Sequence, residues 1–435
     1  MSGNVWTLAL AAGLLAGCST SADRYDRTQV SAGLEERSGH RIGPGDGSLP
    51  PGVVLEDGLR EDEAVALALW NNAAYQEALA ELGLRRADLI QAGMIPNPSL
   101  QVLFPLGPKQ LEFTARFPLE VLWLRPGRVA IAELDCERVS ALLVQGGLDL
   151  VRDVRIGFAD LRLARSRAEV ARDMVAAREQ LSQAMEARLR AGDVSELDAA
   201  AARVDVLRAR ADGHRAARDE AAARERLRTL VGLAQDPRTV DFTDGLPEPA
   251  RPGSDLPFLL QKALAVRPDL RSAELAIDAA VERMSLAEIE FLTFTGLADG
   301  NGSGKKGFEA GPGVDVPLPI FNQNQGGQSK AEAEFERATR HQRAVRDRIA
   351  LEVRESHAAV LAAIDARAAQ QEALPILESA VRQAERSEKA GDVPPQAVVE
   401  SRLRLFDGRL RDAEAAAEIR RANAQLERSV GGRLP

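Results

Sequence analysis

Cysteine occurs only twice in the 435 residues, at positions 18 and 136, and histidine only four times. His40, His214, His341 and His357 stand at none of the spacings from which a metal site is built, so no metal centre is expected. After residue 20 there is no run of 18 consecutive apolar residues, which excludes a bilayer-spanning helix. A basic excess is missing as well. The formal net charge is -9 with 28% charged residues, so the surface is acidic and well hydrated, and nucleic acid is not an expected partner. The glycine-rich stretches 300–307 and 311–313 lack the following helix of a phosphate-binding loop, which removes nucleotide binding. Carboxylates and arginines are interspersed as on solvated helix faces, and no catalytic constellation gathers them. Neither an enzyme nor a bound cofactor is expected.

The first 20 residues carry no charge. Leu10 to Leu15 form an apolar core that leads into Leu15-Ala16-Gly17-Cys18. This arrangement resembles a bacterial lipoprotein signal peptide, with 1–17 removed and Cys18 lipidated. It departs from the pattern in having no Lys or Arg between Met1 and Asn4. Ser19, by the same resemblance, implies sorting to the outer membrane. Lipidation of Cys18 leaves Cys136 alone, so no intrachain disulfide is expected.

What the chain does have is an internal repeat. Ala-Gly-Asp-Val stands at 191–194 and again at 390–393, a separation of 199. The same separation pairs Phe117-Pro118-Leu119 with Val316-Pro317-Leu318, Gly127 with Gly326, Arg203 with Arg402, and Val231-Gly232 with Val430-Gly431. Upstream, Ala68-Leu69 and Tyr75 match Ala263-Leu264 and Leu270 at 195, so repeat two carries four extra residues between Leu270 and Val316. Cys136 falls opposite Phe335 and His357 opposite Phe158, which makes the first a buried filler and the second a helix-seam residue.

Residues 18–58 are rich in Gly, Ser, Pro and charge and read as an extended tether. Repeat one spans 59–233, a linker 234–256, and repeat two 257–435. Helix signals run from Arg60 to Asn71-Asn72 and resume from Ala73 to about Gly93; in repeat two Pro268 makes the interruption. The dominant element of each repeat is a long helix, over about 128–190 and 327–389. Val151, Val154, Phe158, Leu161, Ala164, Ala168, Ala171 and Val175 mark its buried stripe. Such a helix extends for roughly 95 Å, too long for one compact domain. Each stops at Gly192-Asp193 or Gly391-Asp392 and returns as a shorter helix, about 195–231 and 394–430.

Ahead of each long helix the apolar period changes from 3.6 to 2. Leu111, Phe113, Ala115 and Phe117 alternate with Glu112, Thr114 and Arg116. Phe308, Ala310, Pro312, Val314 and Val316 alternate with Glu309, Gly311, Gly313 and Asp315. With partner strands at 99–106 and 290–299, closed by Gly107 to Gln110 and by 301–307, these are hairpins at about 98–120 and 290–319. The second loop is expected to hold the four extra residues. Each strand is about the length that crosses an outer membrane at a tilt. Four strands do not close a barrel, and an open edge in lipid leaves backbone groups unpaired at several kcal/mol each, so several chains must share one barrel. The other reading of the alternation is a small soluble sheet with one face on the helices.

A lipoprotein cysteine, a doubled helix, hairpin, long helix and short helix unit, and hairpins of that length together resemble the TolC-type outer-membrane efflux factor family. Pro96-Asn97-Pro98-Ser99-Leu100 is similar to the family's lead into the first strand. Arg267-Pro268-Asp269-Leu270 with Ala273-Glu274 is similar to its second-repeat helix break. Val316 to Gly326, reading VPLPIFNQNQG, resembles its passage from last strand to second long helix, most closely in the CzcC-like branch of heavy-metal efflux components. The resemblance covers about 50–432. It implies a mainly α fold with transmembrane β: a homotrimer whose twelve strands form one barrel in the outer membrane, continued by a hollow periplasmic α-helical barrel. It also implies a passive conduit for substrate, driven by an inner-membrane pump through a periplasmic adaptor.

The family's adaptor-docking tips fall on Gly192, Asp193 and Val194 and on Gly391, Asp392 and Val393. Glycine suits a left-handed turn there, and the same Gly-Asp pairs also read as a helix stop with Asp capping the returning helix. Arg188, Arg190 and Asp198 differ from Ser387, Lys389 and Ala397, an asymmetry that suits a narrowed aperture. The alternative function is a lipid-anchored periplasmic coiled-coil scaffold without a pore.

Overall fold

A computed structural model describes residues 24–104, 109–238, 240–243, 253, 255–303 and 307–434. Repeat one supplies α2 (Glu61–Asn71), α3 (Ala73–Gly93), β1 (Ser99–Leu103), β2 (Lys109–Pro118), α4 (Val121–Ala191) and α5 (Glu196–Leu230). Repeat two supplies the same order: α6 (Leu256–Val266), α7 (Pro268–Ile289), β3 (Thr295–Ser303), β4 (Gly307–Asp315), α8 (Gln325–Ala390) and α9 (Pro395–Val430). The chain divides into two compact units, each drawing on both repeats. One comprises 1–30, 77–144 and 268–347 and holds the sheet; the other comprises 31–76, 145–267 and 348–435 and holds both returning helices.

The expected tether is not extended throughout. Arg27–Ser38 forms a further helix, α1, and Tyr25, Val30 and Leu34 are buried. Three apolar side chains spaced four or five apart among Gly, Ser and charge give too narrow a stripe to stand out in the sequence. α4 also begins earlier than expected, at Val121 rather than Arg128, and takes in Pro126. Proline removes one helical hydrogen bond, but Val121 and Leu124 are buried by continuing the helix, which offsets it. The corresponding stretch of repeat two, Ile320 to Asn324, stays out of the helix, and α8 begins at Gln325 after Asn324 in a left-handed conformation (φ 64).

The break in each short helix is held the same way in both repeats. Asn72 is extended (φ -61, ψ 116); its Oδ1 accepts from the Tyr75 N–H at 2.9 Å, and its Nδ2 donates to the Leu230 carbonyl at 2.8 Å. Arg267 is pushed out of the helical region by the following Pro268 (φ -67, ψ 128), and its Nη1 donates to the Ser429 carbonyl at 3.0 Å. Leu230 and Ser429 are the same repeat position, so two unlike side chains tie each break to the end of its returning helix.

The four strands form one antiparallel sheet in the order β1-β2-β3-β4, with the repeats meeting at β2 and β3. Seventeen residues separate the paired Ser99 and Arg116, and twenty separate Thr295 and Asp315, so three of the four extra residues lie within the second hairpin and one before it. β1 covers 99–103 rather than 99–106, and β3 starts at Thr295 rather than near 290, running into the expected glycine-rich turn. Gly107 and Pro108 of the first expected turn lie outside the described residues.

Candidate functional site

Register fixes the two faces of the sheet. Val102 pairs with Phe113, Phe113 with Gly300, and Gly300 with Ala310, so these residues share one face with Leu100, Leu111, Ala115, Phe117, Phe308, Pro312 and Val314. The opposite face carries Gln101, Glu112, Thr114, Arg116, Asp299, Asn301, Glu309 and Asp315. Glu112, Asn301 and Glu309 stand in one row, and the Thr114 hydroxyl donates to Asp299 at 2.7 Å in the next. On the apolar face Phe113 and Phe308 stack at 5.3 Å across Gly300, where a Cβ would come within 2.4 Å of the Phe113 ring. Pro312 sits on an edge strand, where its missing N–H breaks no ladder bond on the open side.

β1 is exposed along its whole length and β4 from Phe308 to Asp315, so no helix among the described residues covers either strand. Among the described residues, each of the two strands also has a neighbour on one side only. A soluble sheet would bury its apolar face; this one leaves Leu100, Val102, Leu111, Phe117, Phe308 and Val314 open. No helix among the described residues is long and apolar enough to cross a membrane.

The two turns between long and returning helices share one backbone geometry. Gly192 and Gly391 both adopt φ 83. The Gly192 N–H donates to the Leu189 carbonyl at 3.0 Å and that of Asp193 to Arg188 at 2.9 Å; Gly391 and Asp392 bond Glu388 and Ser387 likewise, both at 2.9 Å. These are left-handed helix stops that satisfy the last carbonyls. A Cβ at either glycine meets nothing within 4 Å, so glycine is required by φ alone. The carboxylates of Asp193 and Asp392 are exposed, while Val194 turns inward onto Leu181, Met185, Ala202 and Val399.

Asp193 does not cap the returning helix. Ser195 is the N-cap, and its hydroxyl accepts from the Asp198 N–H at 3.2 Å while the Asp198 carboxylate accepts from the Ser195 N–H at 3.3 Å. This reciprocal box turns Asp198 back on its own helix, and it makes no ion pair with Arg188, Arg190 or Lys389 among the described residues. Repeat two uses Pro394 as N-cap and Pro395 in the first turn, without a side-chain bond. The asymmetry between the tips is therefore one of capping chemistry.

Cys18 lies outside the described residues. Cys136 is fully buried, and burial first, then the nearby Asp135 and Asp88 charges, push its thiol up to about 11. That makes it a packing residue. No group of three or more His, Cys, Asp or Glu residues able to hold a metal occurs among the described residues. The features that sequence reasoning missed are the Phe113–Gly300–Phe308 stack and the Ser195 cap; Ser-x-x-Asp ahead of a helix was a legible signal for the second.

The model of the family described as "Outer membrane efflux protein" matches residues 259–432. The chain is 27% identical over 382 residues, 85% of its own length and 89% of the relative's, to the cobalt-zinc-cadmium resistance protein CzcC of Cupriavidus metallidurans. Among solved structures, the fold is similar to the outer-membrane channel OprN (TM-score 0.73, 18% identity, 86% of this chain and 90% of that one). It is equally similar to the Campylobacter jejuni CmeC outer membrane channel (TM-score 0.73, 14% identity, 88% and 89%). The chain thus carries the outer membrane efflux protein pattern over residues 259–432 and is similar over most of its length to the TolC-type factors that its doubled unit resembles. It is an outer-membrane efflux channel, a conduit that performs no chemistry on what passes.

Proposed function

We propose that this chain is the outer-membrane conduit of a tripartite efflux system that expels heavy-metal cations, assembled as a homotrimer and anchored by lipid on Cys18. The observation that carries the reading is the sheet: two open edges, one apolar face and one polar face, with no helix over its edge strands. In lipid the open edges are satisfied only by strands of further copies. Three copies supply twelve strands, the number the family resemblance implies. The apolar face then meets lipid, and the polar face, with Glu112, Asp299, Glu309 and Asp315 against Arg116, lines the passage. An acidic lining raises the local concentration of cations. Cations as cargo are supported by likeness to a relative named for cobalt, zinc and cadmium resistance.

The exposed Gly192-Asp193 and Gly391-Asp392 turns are the surfaces for a periplasmic adaptor, which joins the conduit to an inner-membrane pump. Arg188, Arg190 and Lys389 flank them as cationic groups at the helix ends and Asp198 braces the first returning helix. The test is a Cys18→Ser protein purified without lipid. It is expected to require detergent and to conduct ions in a planar bilayer, with cations favoured. A water-soluble, non-conducting monomer with its sheet intact would overturn the reading. Deleting the gene in its own host should lower tolerance to divalent heavy metals; unchanged metal tolerance with lost tolerance to organic compounds would remove the cation assignment alone.

A further inference from the structure

Where the end of α1, the long helix α4 and the residues after α9 come together, arginines outnumber the acids that could balance them. A cavity of about 20 Å³ there is lined, among the described residues, by the guanidiniums of Arg37, Arg152, Arg155, Arg428 and Arg433 and by one carboxylate, Glu427. Three of the five arginines have acidic partners. Arg152 donates to Asp153 at 2.8 Å, Arg155 pairs with Glu427, and Arg428 reaches Asp149 at 2.6 Å and also bonds Glu352.

Arg37 and Arg433 are not balanced in this way. The Arg37 side chain donates to two neutral carbonyls, Gly33 at 2.8 Å and Val266 at 3.3 Å. Its ion pair is with Glu36 at 3.6 Å, whose side chain is 80% exposed, so water screens the attraction. Arg37 Nε is buried and has no acceptor. The exposed Arg433 guanidinium makes no hydrogen bond or ion pair among the described residues; Asp62 feels first His40, at 3.8 Å, and only more weakly Arg433. Its place is fixed all the same. The Arg433 N–H donates to the Arg37 carbonyl at 3.1 Å, and Gly39, in a left-handed turn (φ 77), leaves the room: a Cβ there would lie 2.8 Å from the guanidinium.

We propose that this cavity binds one small monovalent anion, chloride under ordinary salt conditions, held by Arg37 and Arg433. Size selects it. About 10–15 Å³ accommodates one water-sized particle, so a halide fits and phosphate, sulfate or an organic acid does not. Charge selects it over water. A water would bring no counter-charge to the two guanidiniums, whereas one anion offsets both and accepts from the buried Arg37 Nε. The bound ion joins the end of α1 to the residues that follow α9. Beyond the conduit reading, the site makes attachment of the N-terminal helix to the helical body depend on the kind of salt present.

The unfolding midpoint of the full-length protein in detergent tests this, with sodium chloride exchanged stepwise for sodium gluconate so that ionic strength and screening stay constant. The midpoint should rise with chloride and level off, as for a ligand that binds the folded state alone. Bromide should replace chloride where the larger gluconate does not. Arg433→Gln, which removes a charge but no side-chain hydrogen bond, should need about tenfold more chloride for the same rise. Arg41→Gln, at an exposed arginine paired with Glu35, should respond like the parent. Crystals grown in bromide should show one anomalous peak per chain between Arg37 and Arg433. A midpoint that responds identically to chloride and gluconate overturns the proposal, and so does a chloride response unchanged in Arg433→Gln. Bromide crystals with no peak in this cavity overturn it as well, whatever the variants do.

Discussion

The Arg267 guanidinium donates to the Glu352 carboxylate over 2.6 Å, and the arginine side chain has no exposed surface. Arg428 donates to the same oxygen and reaches Asp149 at 2.6 Å, so two cations and two anions form one chain beneath the second helix break. Removing one member strands a charge with little water. Arg267→Ala is expected to cost on the order of 3 kcal/mol, read as a lowered unfolding midpoint in detergent. An unchanged midpoint would show that the network does not hold the break.

The Phe113–Phe308 stack leaves no room above Gly300. Gly300→Val should force the rings apart and destabilise the sheet by about 1–3 kcal/mol. The same change at Gly311, where a Cβ meets nothing, costs less. Heat stability of the assembled particle on gels checks the ranking, and equal losses at both positions would contradict it.

Ser195 and Asp198 cap one helix jointly. Each alanine variant should lose about 1 kcal/mol, and the double variant clearly less than the sum, because either change dismantles the same box. Single-channel conductance should stay at the parent value in Asp198→Ala. A large conductance change would assign Asp198 to the aperture instead.

Lysine at both Asp193 and Asp392 reverses the charge of two exposed side chains without touching the glycine turns. Capture of the cognate adaptor should fall at least tenfold while conductance persists. Full adaptor capture would move docking elsewhere on the helical body.

Cys136 and Tyr25 set an alkaline limit. Burial first, then neighbouring carboxylates, raises the thiol from 9.0 to about 11 and the Tyr25 phenol from 10.0 to about 12. A raised acid group is held neutral in the folded state. Its contribution is complete below the unfolded value and disappears as pH climbs through the folded one. Stability should therefore decline from about pH 9 to 12, and Cys136→Ala should flatten the first part of that decline. Alkylation of Cys136 in the folded protein at pH 8 would contradict its burial.

Periodicity and the repeat made much of this legible. The 199-residue separation matched both tips, both long helices and the second strand of each hairpin, because it records one unit copied with its hydrophobic pattern. The alternation in Leu111 to Phe117 and Phe308 to Val314 marked one apolar face, and the register puts both strands' apolar residues on it. Features that depend on a few residues escaped: α1 rests on three buried side chains, and the early start of α4 rests on burial of Val121 and Leu124 despite Pro126. Local propensity is blind to such partners.

From the sequence alone follow the doubled order of elements, the left-handed glycine turns and the period of every long helix, since each of these is a local or periodic property. Tertiary structure decided the pairing of β2 with β3, the Arg267–Glu352 link, the aromatic rings over Gly300 and the contrast between covered Phe406 and open Leu207. Those depend on which residues far apart in the chain come within reach, so identical repeat positions take different surroundings.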